Sequence, residues 1–284
     1  MRPVSNYLSL VKFSHTVFAL PFALLGFFTA VWYGKGVFSF GLLVKVLLCM
    51  VFARTAAMAF NRYLDRDIDK KNPRTLHREI PAGVITPAAA LIFVFFNAIA
   101  FVFLTWHINR LVFFLSPVAL LVILGYSYTK RFSFLCHFIL GLGLSLAPIG
   151  AYLAVTGRFD LLPLLYSISV LLWVSGFDIL YSLQDEEFDR KEKLYSIPVV
   201  AGRRKSLVIS ALLHILSTAV LAMAGYLYRQ GWMYWMGLFL YAGVLYYQHR
   251  IVARDIATIN RTFTLVNGIA SILFSIFAIV DMVW

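Results

Sequence analysis

The residues best equipped for chemistry lie in NRYLDRDIDKKNPRTLHREIPAG, from Asn61 to Gly83. Acids and bases crowd together there: Asp65, Asp67, Asp69 and Glu79 among Arg62, Arg66, Lys70, Lys71, Arg74 and Arg78. On a helix, Asn61, Asp65 and Asp69 recur every fourth residue and share one face, while Asp67 points elsewhere. Two carboxylates and an amide in a row, with no base on that face, call for a cation. Oxygen-only ligands suit a hard divalent ion, and Mg²⁺ in particular is held by one or two carboxylates plus substrate phosphates.

A second constellation sits in FDILYSLQDEEFDRKEKLYSIPVVAG, residues 177–202. The spacing of Asp178, Tyr181, Asp185 and Asp189 again places them on one helical face. Asp178 falls inside an apolar run, where an acid is costly and usually functional. The two stretches echo each other. Asp65 and Asp69 precede Ile80-Pro81-Ala82-Gly83; Asp185 and Asp189 precede Ile197-Pro198 and Ala201-Gly202. One short echo is a hint of internal duplication and no more. A solvated helix end accounts for either acid pair alone, but less readily for both pairs on one membrane face, each beside Arg and Lys. Two facing pairs could hold more than one Mg²⁺ and clamp a diphosphate. Nearby Arg and Lys would bind its remaining oxygens.

The elements that must position these residues are set by composition. The chain has 284 residues, 61% hydrophobic and 13% charged, with a mean hydropathy of +0.83. A soluble domain is about 45–50% apolar and about 25% charged. The chain therefore reads as an all-α, polytopic membrane protein, one bundle and one domain over residues 1–284. Apolar runs long enough to span a bilayer number about nine: 10–33, 38–61, 87–106, 110–128, 133–155, 161–184, 206–228, 232–248 and 263–283. The first is too long in its apolar part for a cleaved signal peptide. Cys49 and Cys136 lack metal spacing and read as buried structural residues.

Alternating spans put both motif loops on the side of the N-terminus. Only Lys35, Arg110, Arg158 and Arg229 fall on the other side, and Lys45 and Arg54 lie inside the second span. The rest of the 25 Lys and Arg share the N-terminal side, which makes that side cytoplasmic and places Trp284 outside. The net charge of +12 is thus explained by topology, and nucleic acid is not expected as a partner.

These residues resemble the UbiA superfamily of intramembrane aromatic prenyltransferases. Its first motif, N-x-x-x-D-x-x-x-D, stands as Asn61, Asp65 and Asp69; its second, D-x-x-x-D, as Asp185 and Asp189, with Tyr181 just before. The nine spans agree, so the resemblance covers the whole chain. KFSHTVFALPFA, NPRT, YSYTKRF and DILYSLQDEEFDR look like the 4-hydroxybenzoate polyprenyltransferase branch, which is itself similar to enzymes acting on a dihydroxynaphthoate. The resemblance implies transfer of a polyprenyl group from its diphosphate to an aromatic acid in quinone biosynthesis, in a bacterial inner membrane. Mg²⁺ and bases would draw off the diphosphate, and the allylic cation would attack an electron-rich ring carbon. Independent physics agrees: preorganised cations stabilise a leaving diphosphate, and a bilayer bundle supplies a dry pocket.

Other residues carry narrower expectations. Arg54, two turns deeper than Asn61, matches an acceptor-carboxylate position; an ion pair with Asp178 is the rival role. Arg74, Arg78, Lys130 and Arg131 are candidates for diphosphate contact. Tyr126 and Tyr128 could line the allyl site, since an aromatic face stabilises a cation. His15 reads as structural, Lys45 as snorkelling outward, His249 and Arg250 as a topological cluster, and Asp281 as without a role. Two rival functions fit less well. A Mg²⁺-dependent phospho-alcohol transferase would carry a D-G-x-x-A-R element, which is absent. A cation transporter would place its acids near the midplane on broken helices.

Overall fold

The computed structural model describes residues 2–11, 20–254 and 259–284, with side chains outside 2–4 and 260–265. His15 lies outside the described residues. Among those described, every regular element is a helix. In order these are α1 (Arg2–Leu10), α2 (Leu20–Trp32), α3 (Phe40–Asp69), α4 (Pro87–Trp106), α5 (Arg110–Thr129), α6 (Cys136–Thr156), α7 (Leu161–Ser182), α8 (Glu186–Lys191), α9 (Ile197–Leu227), α10 (Trp232–Arg254) and α11 (Ile259–Val283). A 3₁₀ turn, Leu183–Asp185, links α7 to α8.

Local sequence starts these helices where they start. Ser39, Thr86, Asn109 and Ser196 each accept a hydrogen bond from a first-turn N–H, those of Leu42, Ala89, Val112 and Val199. Such caps satisfy backbone donors that the helix itself cannot. Pro87 and Pro198 stand in first turns, where no donor is lost.

Seven helical segments are long and apolar enough to cross a membrane. Two shorter or more polar helices, α2 and α10, fill the remaining places in the predicted order. The first, α2, has 13 residues, and part of its predicted run falls on residues 12–19. Tyr246, Tyr247, Gln248 and His249 lower the hydropathy of α10. The largest boundary correction is α9. It begins at Ile197 rather than residue 206, because Ser196 and Pro198 start a helical turn that then breaks at Gly202 (φ 77°, ψ 165°).

Successive spans pack on one another, and α11 returns to pack on α2, closing the bundle. One core cluster surrounds Trp173 of α7, with Phe22 and Tyr241 against its ring and Phe274 against both of those. Small polar groups tie α7, α9 and α10 together. Ser217 Oγ lies 2.8 Å from Ser169 Oγ and 2.9 Å from the Tyr241 hydroxyl, and Ser210 donates to the Gly176 carbonyl at 2.6 Å. Such bonds hold membrane helices together where no hydrophobic drive exists.

Two minor expectations need correction. Asp281 has a role: it accepts from the N–H groups of Gly231 and Tyr234 and so caps the start of α10. His249 is more than a topological residue, since its ring lies 2.9 Å from that of His214. Lys45 donates to the His107 carbonyl at the end remote from the motifs.

At 30 residues, α3 is about 45 Å long, well beyond an apolar core about 30 Å thick. The excess carries Asn61, Asp65 and Asp69 past the apolar layer. The loop from Lys70 to Thr86 then folds back beside the 3₁₀ turn and α8, bringing the two acidic stretches together.

Candidate active site

The first motif is a rigid, sealed cluster. Asp65 is 2% exposed and Asp69 5%. One Asp65 oxygen accepts from Lys130 and, at 3.1 Å, from the Asn61 amide; the other accepts from Arg131 at 3.1 Å. Asn61 also reaches Ser127 of α5 at 3.4 Å. Asp69 receives Arg78 on both oxygens at 2.7 Å. Asp67 stands off this face, 80% exposed, against Arg66. The α3 face itself carries no base, as the spacing indicates. The neutralising charges come from elsewhere in the chain: Lys130 and Arg131 after α5, and Arg78 from the loop.

The second motif is joined to the first by that loop. Arg74 grips Asp185 with Nε at 2.9 Å and Nη2 at 2.5 Å, a bidentate fork. Its remaining nitrogen donates to the Tyr181 hydroxyl at 3.2 Å. Asn72 adds a bond to Asp185 at 3.2 Å, and Lys71 pairs with Glu192 at 2.6 Å. Asp189, half-buried on α8, has no ion pair among the described residues, yet lies within electrostatic reach of Asp185, Lys130 and Arg74. The single helical face expected for 178–189 is interrupted. The 3₁₀ turn at Leu183–Asp185 has three residues per turn, which rotates Asp189 away from the line of Asp178 and Tyr181.

Deeper in the bundle, Arg54 and Tyr126 line a cavity of about 360 Å³ between α3, α5 and α6. It runs toward the opposite end past Met50, Ser116 and Leu153, and its walls are almost wholly apolar. The Nε of Arg54 is sealed from solvent with no hydrogen-bond partner among the described residues. The rival pairing of Arg54 with Asp178 is overturned. The Asp178 carboxylate binds His137 instead, Nδ1 to Oδ2 at 2.7 Å. Tyr128 is 46% exposed on the outer surface, so it lies off this cavity.

Sequence reasoning brought together Asn61, Asp65, Asp69, Asp185, Asp189, Arg74, Arg78, Lys130, Tyr126 and Tyr181 around one end of the bundle. It missed Asn72 and His137 as partners of the acids. Asn72 stood within NPRT, where its side chain also accepts from the Arg74 N–H at 2.9 Å. An Asn before Pro marks such a turn. His137 left no comparable trace.

The donor set suits an oxygen-seeking cation. Asp189 is a carboxylate without an ion pair beside a second carboxylate, and the Asn61 amide adds a neutral oxygen near Asp65. Among the described residues no three acids, histidines or cysteines gather to form a metal cage. Mg²⁺ takes few protein ligands and completes its shell with phosphate and water, so a pair of carboxylates suffices to begin such a site.

Comparison with known proteins agrees with this geometry. The model of the UbiA prenyltransferase family matches residues 19–273. A 4-hydroxybenzoate octaprenyltransferase of Tolumonas auensis is 31% identical over 248 residues, 87% of this chain and 86% of its own. One from Citrobacter koseri is 30% identical over 78% of this chain and 76% of its own. The apo structure of a UbiA homologue from Aeropyrum pernix superposes with a TM-score of 0.86 at 29% identity, covering 94% of this chain and 98% of that one. A homologue from Archaeoglobus fulgidus, bound to GPP and Mg²⁺, shares the fold with a TM-score of 0.69 at 19% identity, over 98% of this chain and 100% of its own. With this fold, these spans and these motifs, the chain belongs to the UbiA prenyltransferase family.

Proposed function

We propose that this enzyme transfers a polyprenyl group from its allylic diphosphate to an aromatic acid such as 4-hydroxybenzoate, as one catalytic unit over residues 1–284. A dihydroxynaphthoate remains the second acceptor class, since it offers the same carboxylate. The observation that carries the reading is Arg54. A guanidinium in an apolar membrane cavity is expensive, and its Nε, sealed with no hydrogen-bond partner among the described residues, suits it to receive an anion.

The diphosphate would enter between the two motifs. Arg74, Arg78, Lys130 and Arg131 already surround that space, and exchanging carboxylate partners for phosphate oxygens keeps each base charge-paired. Asp65, Asp69, Asp185, Asp189 and Asn61 are the residues that would hold Mg²⁺. When bound, the metal supplies added neutralisation of the leaving diphosphate. The bases do the same from fixed positions, which costs no reorganisation as charge develops. Tyr126 presents an aromatic face to the cationic allyl carbon. Arg54 orients the acceptor by its carboxylate, and the apolar cavity excludes water that would otherwise capture the cation.

The basic asymmetry supports placing the motif end in the cytoplasm of a bacterial inner membrane. Labelling of Lys71→Cys and Arg229→Cys variants from opposite faces checks that orientation. Labelling of both from one face would overturn it.

The functional test is mass spectrometry of products from purified enzyme given a panel of acceptors and prenyl diphosphates. A C-prenylated aromatic acid is expected. In the same assay Arg54→Ala should raise the acceptor KM far more than that of the diphosphate. The loss should be about 2–5 kcal/mol, as when one member of a buried charge pair is removed. An unchanged acceptor KM in a well-folded variant would remove Arg54 from this role.

A further inference from the structure

Asp65, Asp69 and Asp185 bind bases, and Asp189 stands half-buried beside Asp185 with no ion pair among the described residues. Asp178 differs from them. It lies on α7 seven residues before Asp185, about 10 Å deeper at 1.5 Å per residue. Arg54 lies on α3, seven residues before Asn61 and eleven before Asp65. Tyr126 of α5 lines the same cavity as Arg54.

The partner of Asp178 is neutral by geometry. The Ile197 N–H donates to His137 Nε2 at 3.2 Å, so that nitrogen uses its lone pair as an acceptor. The ring proton is then on Nδ1, where it is donated to Asp178 Oδ2 at 2.7 Å. The ring is only 2% exposed, and the His137 carbonyl accepts from Ser175 Oγ of α7 at 3.2 Å. The imidazole is thus held at both nitrogens and its backbone is tied to the helix that carries Asp178. The Asp178 side chain remains 24% exposed. Its Oδ1 has no hydrogen-bond partner among the described residues.

A carboxylate that accepts one neutral hydrogen bond and has no adjacent cation is a better base than one paired with Arg or Lys. Asp65, Asp69 and Asp185 are all so paired. We propose that Asp178 is the general base that removes the ring proton, and that His137 is the positioning residue that aims it. The proposal rests on the aromatic prenyl transfer argued above. In that reaction the allylic C–O bond breaks and its electron pair leaves with the diphosphate. A ring π pair forms the new C–C bond. The C–H electron pair at that carbon returns to the ring, and its proton passes to Asp178 Oδ1, then to solvent.

The test compares wild type, Asp178→Asn, Asp178→Glu, His137→Ala and His137→Gln, using whichever of 4-hydroxybenzoate or a dihydroxynaphthoate the wild type prenylates. That acceptor is supplied with deuterium at the reacting ring positions. Ionisation is followed separately, as scrambling of a heavy-oxygen label between bridging and terminal positions of the prenyl diphosphate. In wild type, transfer should show no primary ring-deuterium effect, because proton loss is fast. In Asp178→Asn, transfer should fall by about 10²–10⁴-fold, the usual contribution of a general base. A primary deuterium effect should appear while label scrambling persists. His137→Ala should show the same effect in milder form, and His137→Gln, which keeps a donor, should partly reverse it. A merely structural histidine would lower stability without moving the isotope effect.

Asp178→Asn with full transfer, or with slow transfer and no deuterium effect, overturns the proposal. If Asp178→Asn does not fold, Asp178→Glu and the two His137 variants decide by the same readout. Wild type that neither scrambles label nor prenylates either acceptor would sink the functional reading itself.

Discussion

The two acidic stretches meet at one end of the bundle but are built differently. Asn61, Asp65 and Asp69 ride one uninterrupted helix, and the two acids are sealed and paired with three bases from two places in the chain. Asp185 and Asp189 follow the end of α7, across a 3₁₀ turn and a six-residue helix, and lie half-open. Asp185 is held by Arg74, while Asp189 has no ion pair among the described residues. The first half is therefore already neutralised, whereas the second presents charge that a cation can complete. Yet both end alike. Ile80-Pro81-Ala82-Gly83 and Ile197-Pro198…Ala201-Gly202 each finish on a glycine with positive φ, 73° and 77°. The shared ending extends the echo of the two sequences into backbone conformation.

Removing acids should separate the halves most sharply. Asp65→Ala leaves Lys130 and Arg131 without their carboxylate. It should cost about 3–5 kcal/mol of stability, as breaking a buried pair does, besides orders of magnitude in rate. Asp189→Ala should lose comparable rate with its detergent melting temperature nearly unchanged, because no ion pair breaks. Asp67→Ala, on the exposed face, should leave both nearly intact. Thermal melting and steady-state transfer on the same preparations check all three. Equal destabilisation by Asp65→Ala and Asp189→Ala would erase the distinction between the halves.

Smaller effects test the shared ending. A methyl group at Gly83 or Gly202 meets nothing within 4 Å, so any cost of Ala there is backbone strain. Gly202, at ψ 165°, occupies a region that is essentially glycine-only, and Gly202→Ala should cost about 1–3 kcal/mol. Gly83→Ala should cost about 1–2 kcal/mol for a left-handed residue. Melting curves of the two variants give the comparison directly.

Much of this arrangement was legible in the sequence, for physical reasons. A bilayer demands runs of about 20 apolar residues, so the spans announce themselves. A helix places every fourth residue on one face, so Asn61, Asp65 and Asp69 could be grouped before any fold was known. The α9 start was misplaced because Ile197–Gly202 reads as loop until Ser196 is seen capping Val199. The base supply was partly hidden. Lys130, Arg131, Arg74 and Arg78 could be named, but which acid each would meet depends on how the Lys70–Thr86 loop folds, and no periodicity encodes that. The pairing of His137 with Asp178 spans 41 residues and two helices. A histidine at the head of an apolar run carries no spacing signal to its partner. Arg54 was the converse case. Its position alone marked it, and the structure removed the ion pair that would have made it merely structural.

The central claim is that both acidic halves act on a diphosphate through a hard divalent cation. Its most direct test is diphosphate release by the purified enzyme, measured with prenyl diphosphate and acceptor under titration with Mg²⁺ and then excess EDTA. The account predicts release that rises with Mg²⁺, stops in EDTA and recovers on re-addition of metal. It also predicts that Asp189→Asn shifts the titration to higher Mg²⁺. Full release in excess EDTA would contradict it.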